Sequence, residues 1–125
     1  MKDFRRLTVW ERAHALTLQV YRITAAFPRE ELFGVTSQMR GSSSSIAANI
    51  AEGCGRAGNG EFHKFLNTAA GSSVELEYFA LLSRDLGFLS TEIYEELQRD
   101  VLEVQRMLAS LIRKVDAARR VKTNC

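Results

Sequence analysis

A single proline, Pro28, interrupts 125 residues. Nothing else constrains the fold as much, because proline removes a backbone donor and pushes the preceding residue out of the α region. Sandwiches and barrels need turn residues about every 8–12 positions. Here no proline follows residue 28, and five of the eight glycines (Gly53, Gly55, Gly58, Gly60 and Gly71) crowd into one stretch. What remains is a chain of long helices. Its length suits one domain. With 46% hydrophobic and 26% charged residues it has globular composition, which excludes a disordered charged tail.

Apolar spacing predicts helices at about residues 8–27, 34–53, 60–86 and 90–118, with a polar tail over 119–125. In the first, Val9, Ala13, Leu16, Val20, Ile23 and Phe27 form a buried stripe, and Thr8 with Glu11 spells a capping box. A flanking stripe of Trp10, His14, Leu18 and Tyr21 is wider than one bundle requires and is expected at an oligomer interface. Pro28 ends the helix. In the second helix Val35, Met39, Ile46 and Ile50 stay in phase across the run Gly41-Ser42-Ser43-Ser44-Ser45. That run is therefore expected to be a helix face of small residues rather than a loop. Asn59 is expected to cap the third helix and Gly87 to end it. Ser90 caps the fourth, with Leu89 and Tyr94 as a hydrophobic staple. Short connections between long helices imply an all-α, antiparallel up-down-up-down four-helix bundle over the whole chain.

Several motifs invite a chemical function and lack its context. Gly53-Cys54-Gly55-Arg56-Ala57-Gly58 matches G-x-G-x-x-G but follows a helix, not the strand a dinucleotide site requires. Glu11-Arg12-Ala13-His14 is one Glu-x-x-His, and a di-iron bundle needs two; residue 60, which would pair with His63, is glycine. The serines have no strand-turn-helix elbow around them. The expectation is no enzyme, no cofactor and no metal. Cys54 and Cys125 read as free thiols in a reducing compartment. No apolar run is long enough for a membrane span, and a cytoplasmic location is expected.

Ser45, Asn49, Glu52 and Arg56 share one stripe of the second helix, and Thr68, Ser72, Glu75, Phe79 and Leu82 share one of the third. Glu75 among small and apolar neighbours implies a partner, Arg40 or else Asn49, because an unpaired buried carboxylate is costly. A solvated face is the other reading of the same spacing.

Particular residues then carry a resemblance. They are Val9-Trp10, Phe27-Pro28-Arg29-Glu30-Glu31, Thr36-Ser37-Gln38-Met39-Arg40, Ser45-Ile46-Ala47-Ala48-Asn49-Ile50-Ala51-Glu52-Gly53, Glu61-Phe62-His63-Lys64-Phe65-Leu66 and Gly71-Ser72-Ser73-Val74-Glu75-Leu76-Glu77. Over about residues 4–117 the chain resembles the four-helix-bundle proteins encoded in intervening sequences of bacterial 23S rRNA genes. That family is similar in turn to the accessory variability determinant of diversity-generating retroelements, a pentamer that works with a reverse transcriptase and nucleic acid. The resemblance implies a homopentamer without known catalysis. It also marks Arg40, Asn49, Glu52, Gly53, Gly71 and Glu75 as characteristic positions. The serines at 42–44 depart from the bulkier or basic residues often found there.

The formal charge of +2 conceals polarity. Residues 1–29 hold six basic against two acidic groups, residues 90–105 one against five, and residues 106–125 six against one. An up-down-up-down bundle gathers Lys2, Arg5, Arg6, Arg12, Arg56, Arg113, Lys114, Arg119, Arg120 and Lys122 at one pole. Glu30, Glu31, Asp85, Glu92, Glu95 and Glu96 collect at the other. The helix macrodipole accounts for the bases ending the fourth helix but disfavours those starting the first. These features imply a non-enzymatic homo-oligomeric adaptor that binds RNA, DNA or an RNA-handling protein through the basic pole. The alternative is a pure protein–protein assembly module.

Overall fold

The computed structural model describes residues 2–124 and consists, among them, of a 3-10 turn at Phe4–Arg6 followed by α1 (Thr8–Thr24), a second 3-10 turn at Arg29–Glu31, α2 (Val35–Cys54), α3 (Gly58–Asp85) and α4 (Thr91–Asn124). Helices adjacent in sequence pack together, and α1 also meets α4, whereas α1 and α3 make no contact. The result is the expected all-α four-helix bundle, with α1 and α3 on opposite corners.

Periodicity accounts for the core. Val9, Ala13, Leu16 and Val20 of α1, Met39, Ile46 and Ile50 of α2, Phe62, Leu66, Ala69, Leu76 and Ala80 of α3, and Leu97, Val101, Val104 and Leu108 of α4 are all buried together. Side chains three and four apart lie over one another on a helix, so each set forms a single inward ridge.

The serine run is helical. Ser42 donates to the Gln38 carbonyl at 2.8 Å and Ser43 to the Arg40 carbonyl at 3.1 Å, so both hydroxyls are satisfied within α2 although both are buried. Their small size admits neighbours closely. The Thr17 hydroxyl of α1 donates to the Ser43 carbonyl at 3.1 Å, and Ser45 bonds Ser72 of α3 at 2.8 Å.

Helix ends depart from expectation in four places. Leu7, not Thr8, is the N-cap of α1 and no side chain caps it, so the capping box does not form. Asp3 instead accepts the Arg5 N–H at 3.1 Å and starts the 3-10 turn that delivers the chain to Leu7. At its other end α1 stops at Thr24, before the expected Phe27. Phe27, which precedes proline, must leave the α region, and the last N–H groups tighten to partners three residues back: Ala26 to Ile23 and Phe27 to Thr24. Asn59 does not cap α3, which begins after Ala57 with no side-chain cap. Finally, α4 continues to Asn124, through the segment expected to be a polar tail. Alanine, arginine and lysine there are strong helix formers and extend the helix without needing burial.

Other end signals hold. Ser90 accepts the Ile93 N–H at 3.2 Å, and Leu89 is buried. Gly87 has φ +81°, with its N–H on the Arg84 carbonyl and the Phe88 N–H on the Ser83 carbonyl, which is the Schellman arrangement that closes α3.

Candidate functional site

The basic residues gather where α1 and α3 begin and α2 and α4 end. The N-terminal segment folds back onto this end: the Lys2 N–H donates to the Cys54 carbonyl at 3.0 Å, and the Lys2 ammonium lies 4.6 Å from the Phe62 ring centre. Lys2, Arg5 and Arg6 are thereby fixed beside the last turn of α2, all exposed. Arg5 lies over Phe4 at 4.6 Å, and Arg56 over Phe65 at 5.3 Å. Flat aromatic supports of this kind hold a cation outward while its stem is covered. Arg113 and Lys114 are exposed on α4. Lys64, not among the expected residues, lies 5.9 Å from the Phe65 ring and joins the group.

The pole carries some acid of its own. Arg5 meets Asp3 at 3.5 Å, Arg56 meets Glu52 at 2.9 Å, and Asp116 receives Arg120 at 3.1 Å and Arg119 at 3.8 Å. His63 also faces Asp116, at 3.8 Å. Exposed pairs of this type bind weakly and rearrange readily. Arg12 is set apart from the others: it bonds Glu103 across the α1–α4 seam, a turn inward from the start of α1. The Lys122 side chain and all of Cys125 lie outside the described residues.

The polar cluster differs from expectation. Glu75 is exposed, and Arg40 is not its partner. Arg40 turns the other way, donating from Nε to the Thr24 hydroxyl at 2.9 Å and lying 4.7 Å over the Tyr21 ring of α1. The carboxylate of α3 that reaches another helix is Glu77, which accepts from Gln105 at 2.8 Å and Gln98 at 3.4 Å on α4. Two residues along a helix are a rotation of about 200°, so the motif placed the acid on the wrong side of α3. Asn49 donates to the carbonyl and hydroxyl of Ser45 in its own helix, at 2.8 and 3.0 Å, and joins the Ser45–Ser72 pair. Gly53 has a packing reason: a Cβ there would stand 2.9 Å from the Phe62 ring and 3.0 Å from Phe65. A Cβ at Gly71 would meet nothing within 4 Å.

Trp10 of the flanking stripe is half-buried, stacked on His14 at 5.1 Å and edge-on to Phe4 at 4.9 Å. Leu18 and Tyr21 remain 47% and 46% exposed. A second exposed stripe, absent from the expectations, runs along α3: Val74, Tyr78 and Leu81. Its 4, 3 spacing was visible in the sequence but is out of phase with the buried ridge. Cys54 is buried, and that burial pushes its thiol above the ordinary pKa against the opposing pull of Lys2. The glycine motif runs from the last turn of α2 through the connection to the first residue of α3, so a helix and not a strand precedes it. Among the described residues no group of three metal-ligating side chains converges, and no helix is long and apolar enough to cross a membrane.

The family model for 23S rRNA-intervening sequence proteins matches residues 5–110. A crystal structure of a protein of unknown function from the S23 ribosomal protein family, from Bacteroides thetaiotaomicron, superimposes with a TM-score of 0.79 at 25% identity, covering 84% of this chain and 95% of that one. No curated protein matches the sequence.

Proposed function

The chain belongs to the 23S rRNA-intervening sequence protein family, and from that premise we propose that it is a non-enzymatic, homo-oligomeric adaptor whose basic pole holds the phosphate backbone of RNA. The observation that carries this reading is the docking of Lys2 on the Cys54 carbonyl. It sets the cations of the N-terminal segment beside the last turn of α2, which leads into Arg56, although the helix dipole alone would disfavour them at the start of α1. A ring of several copies, five by resemblance, repeats the pole on one face and multiplies weak phosphate contacts. The pole carries no base-reading motif, so binding tolerates sequence, and any selectivity comes from shape or from a protein partner. The ion pairs to Asp3, Glu52 and Asp116 favour a second reading, an assembly module whose cations serve solubility.

The test is fluorescence anisotropy with a labelled single-stranded RNA over a range of salt. Wild type should lose affinity steeply as salt rises. Replacing Arg5, Arg6, Arg119 and Arg120 with glutamine should weaken binding and flatten the slope at unchanged oligomer size. Equal affinity and slope in the quadruple variant overturns the RNA reading in favour of the assembly module.

A further inference from the structure

We propose that copies of this chain join head to tail, the α1 face of Leu18 and Tyr21 in one copy seating on the α3 face of Val74, Tyr78 and Leu81 in the next. This rests on the homo-oligomer in the proposed function and specifies its contact surface. Both stripes are exposed, at 47% and 46% for the first and 59%, 56% and 36% for the second. They lie on helices that do not touch within the protomer, at opposite corners of the bundle. Cross-helix bonds show that they stand at the same height. Thr17 reaches Ser43 on α2, and Ser45 nearby reaches Ser72 on α3. Further along, Arg40 covers Tyr21, while the adjacent Met39 receives the Ser83 hydroxyl at 3.3 Å. Leu18 and Tyr21 are therefore level with the stretch from Val74 to Leu81, and α1 and α3 run in the same direction. Copies related by rotation about an axis parallel to the bundle bring level residues together, so the two faces meet without any shift along the axis.

Charge selects this pairing over a two-fold one. Arg22 and Arg40 flank the α1 stripe, and Glu75 lies within the α3 stripe, exposed in the protomer. An isologous contact would bring two α1 faces with their arginines together, or two α3 faces each carrying Glu75, so that like charges share one interface, whereas the heterologous contact brings the α3 face with Glu75 to the α1 face with the arginines of its neighbour. A heterologous contact that closes on itself yields a ring, with every basic pole on one face.

The experiment is light scattering on three samples, each checked for helicity by circular dichroism: wild type, the α1-face variant Leu18→Glu/Tyr21→Glu, and the α3-face variant Val74→Glu/Tyr78→Glu. Wild type should have the mass of several subunits and each variant the mass of one. An equimolar mixture of the two variants should form a dimer and nothing larger, because it contains one intact α1 face and one intact α3 face. Glu75→Arg should also reduce the assembled mass, and Arg22→Glu combined with it should restore it. A wild type that assembles while either face variant keeps its mass, or a mixture that stays monomeric, overturns this contact and leaves the oligomeric adaptor standing. A monomeric wild type removes both.

Discussion

The seam between α2 and α3 and the seam between α1 and α4 are built on opposite terms. Across the first, small residues let two helices close directly on each other. Gly53 lies beneath the Phe62 ring, and Ser45 and Ser72 bond hydroxyl to hydroxyl. Across the second, long polar side chains flank the ridge, and Arg12 of α1 bonds Glu103 of α4. Arg12, Gln19, Asp100 and Glu103 line, with Ala15, Leu16 and Val104, a cavity of about 130 Å³. Both seams sit on the same kind of apolar ridge. The difference teaches that the inward ridge settles whether two helices pair, while the residues beside it settle how near they come. The close seam is therefore expected to be costly to alter, and the seam beside the cavity to tolerate change.

That contrast is open to measurement by chemical denaturation. The largest effect is expected at the close seam itself: Phe62→Ala removes a fully buried ring and should cost about 3–5 kcal/mol. A loss below about 1 kcal/mol would mean that the seam collapses around the gap and is not rigid. Next, Gly53→Ala drives a Cβ into Phe62 and Phe65 and should destabilise by about 1–2 kcal/mol, overpacking outweighing the gain in helix propensity. Gly41→Ala on the same helix, where a Cβ meets nothing within 4 Å, should instead stabilise by about 0.5–1 kcal/mol. If the two changes have the same sign, close approach at Gly53 is not what demands glycine.

Smaller effects sharpen the comparison. Ser72→Ala leaves the half-buried Ser45 hydroxyl without its cross-helix partner and should cost about 1 kcal/mol. At the seam beside the cavity, a double-mutant cycle on Arg12 and Glu103 should return a coupling under about 1 kcal/mol that fades in high salt, since both side chains are substantially exposed. A salt-resistant coupling of 2 kcal/mol or more would show the α1–α4 seam to be as tightly specified as the other.

Much of this was legible in the sequence alone. The apolar spacing carried the four helices and nearly every core residue, and the unbroken phase across Ser42–Ser45 carried the decision that the serines are helical. Gly87 and Ser90 announced their ends correctly, because those signals act through the backbone within one turn. The capping box at Thr8 failed for a reason outside its own four residues: the 3-10 turn before it brings the chain in at Leu7. The Glu75–Arg40 pair failed because both side chains had another side of their helix available.

The sequence by itself determined the number of helices, their inward ridges and the imbalance of charge along the chain. All of these depend on spacing within one helix, where 3.6 residues per turn convert position directly into direction. Only the tertiary structure decided what lies across each flank. It assigned Glu77 rather than Glu75 to α4, gave Arg40 to Thr24 and Tyr21, bound Lys2 to the end of α2, and set two exposed apolar stripes level on opposite corners. Those outcomes depend on how helices are rotated and shifted against one another. Rotation and shift follow from the packing of whole faces, in which a glycine admits a ring and an arginine bonds a carboxylate across a seam.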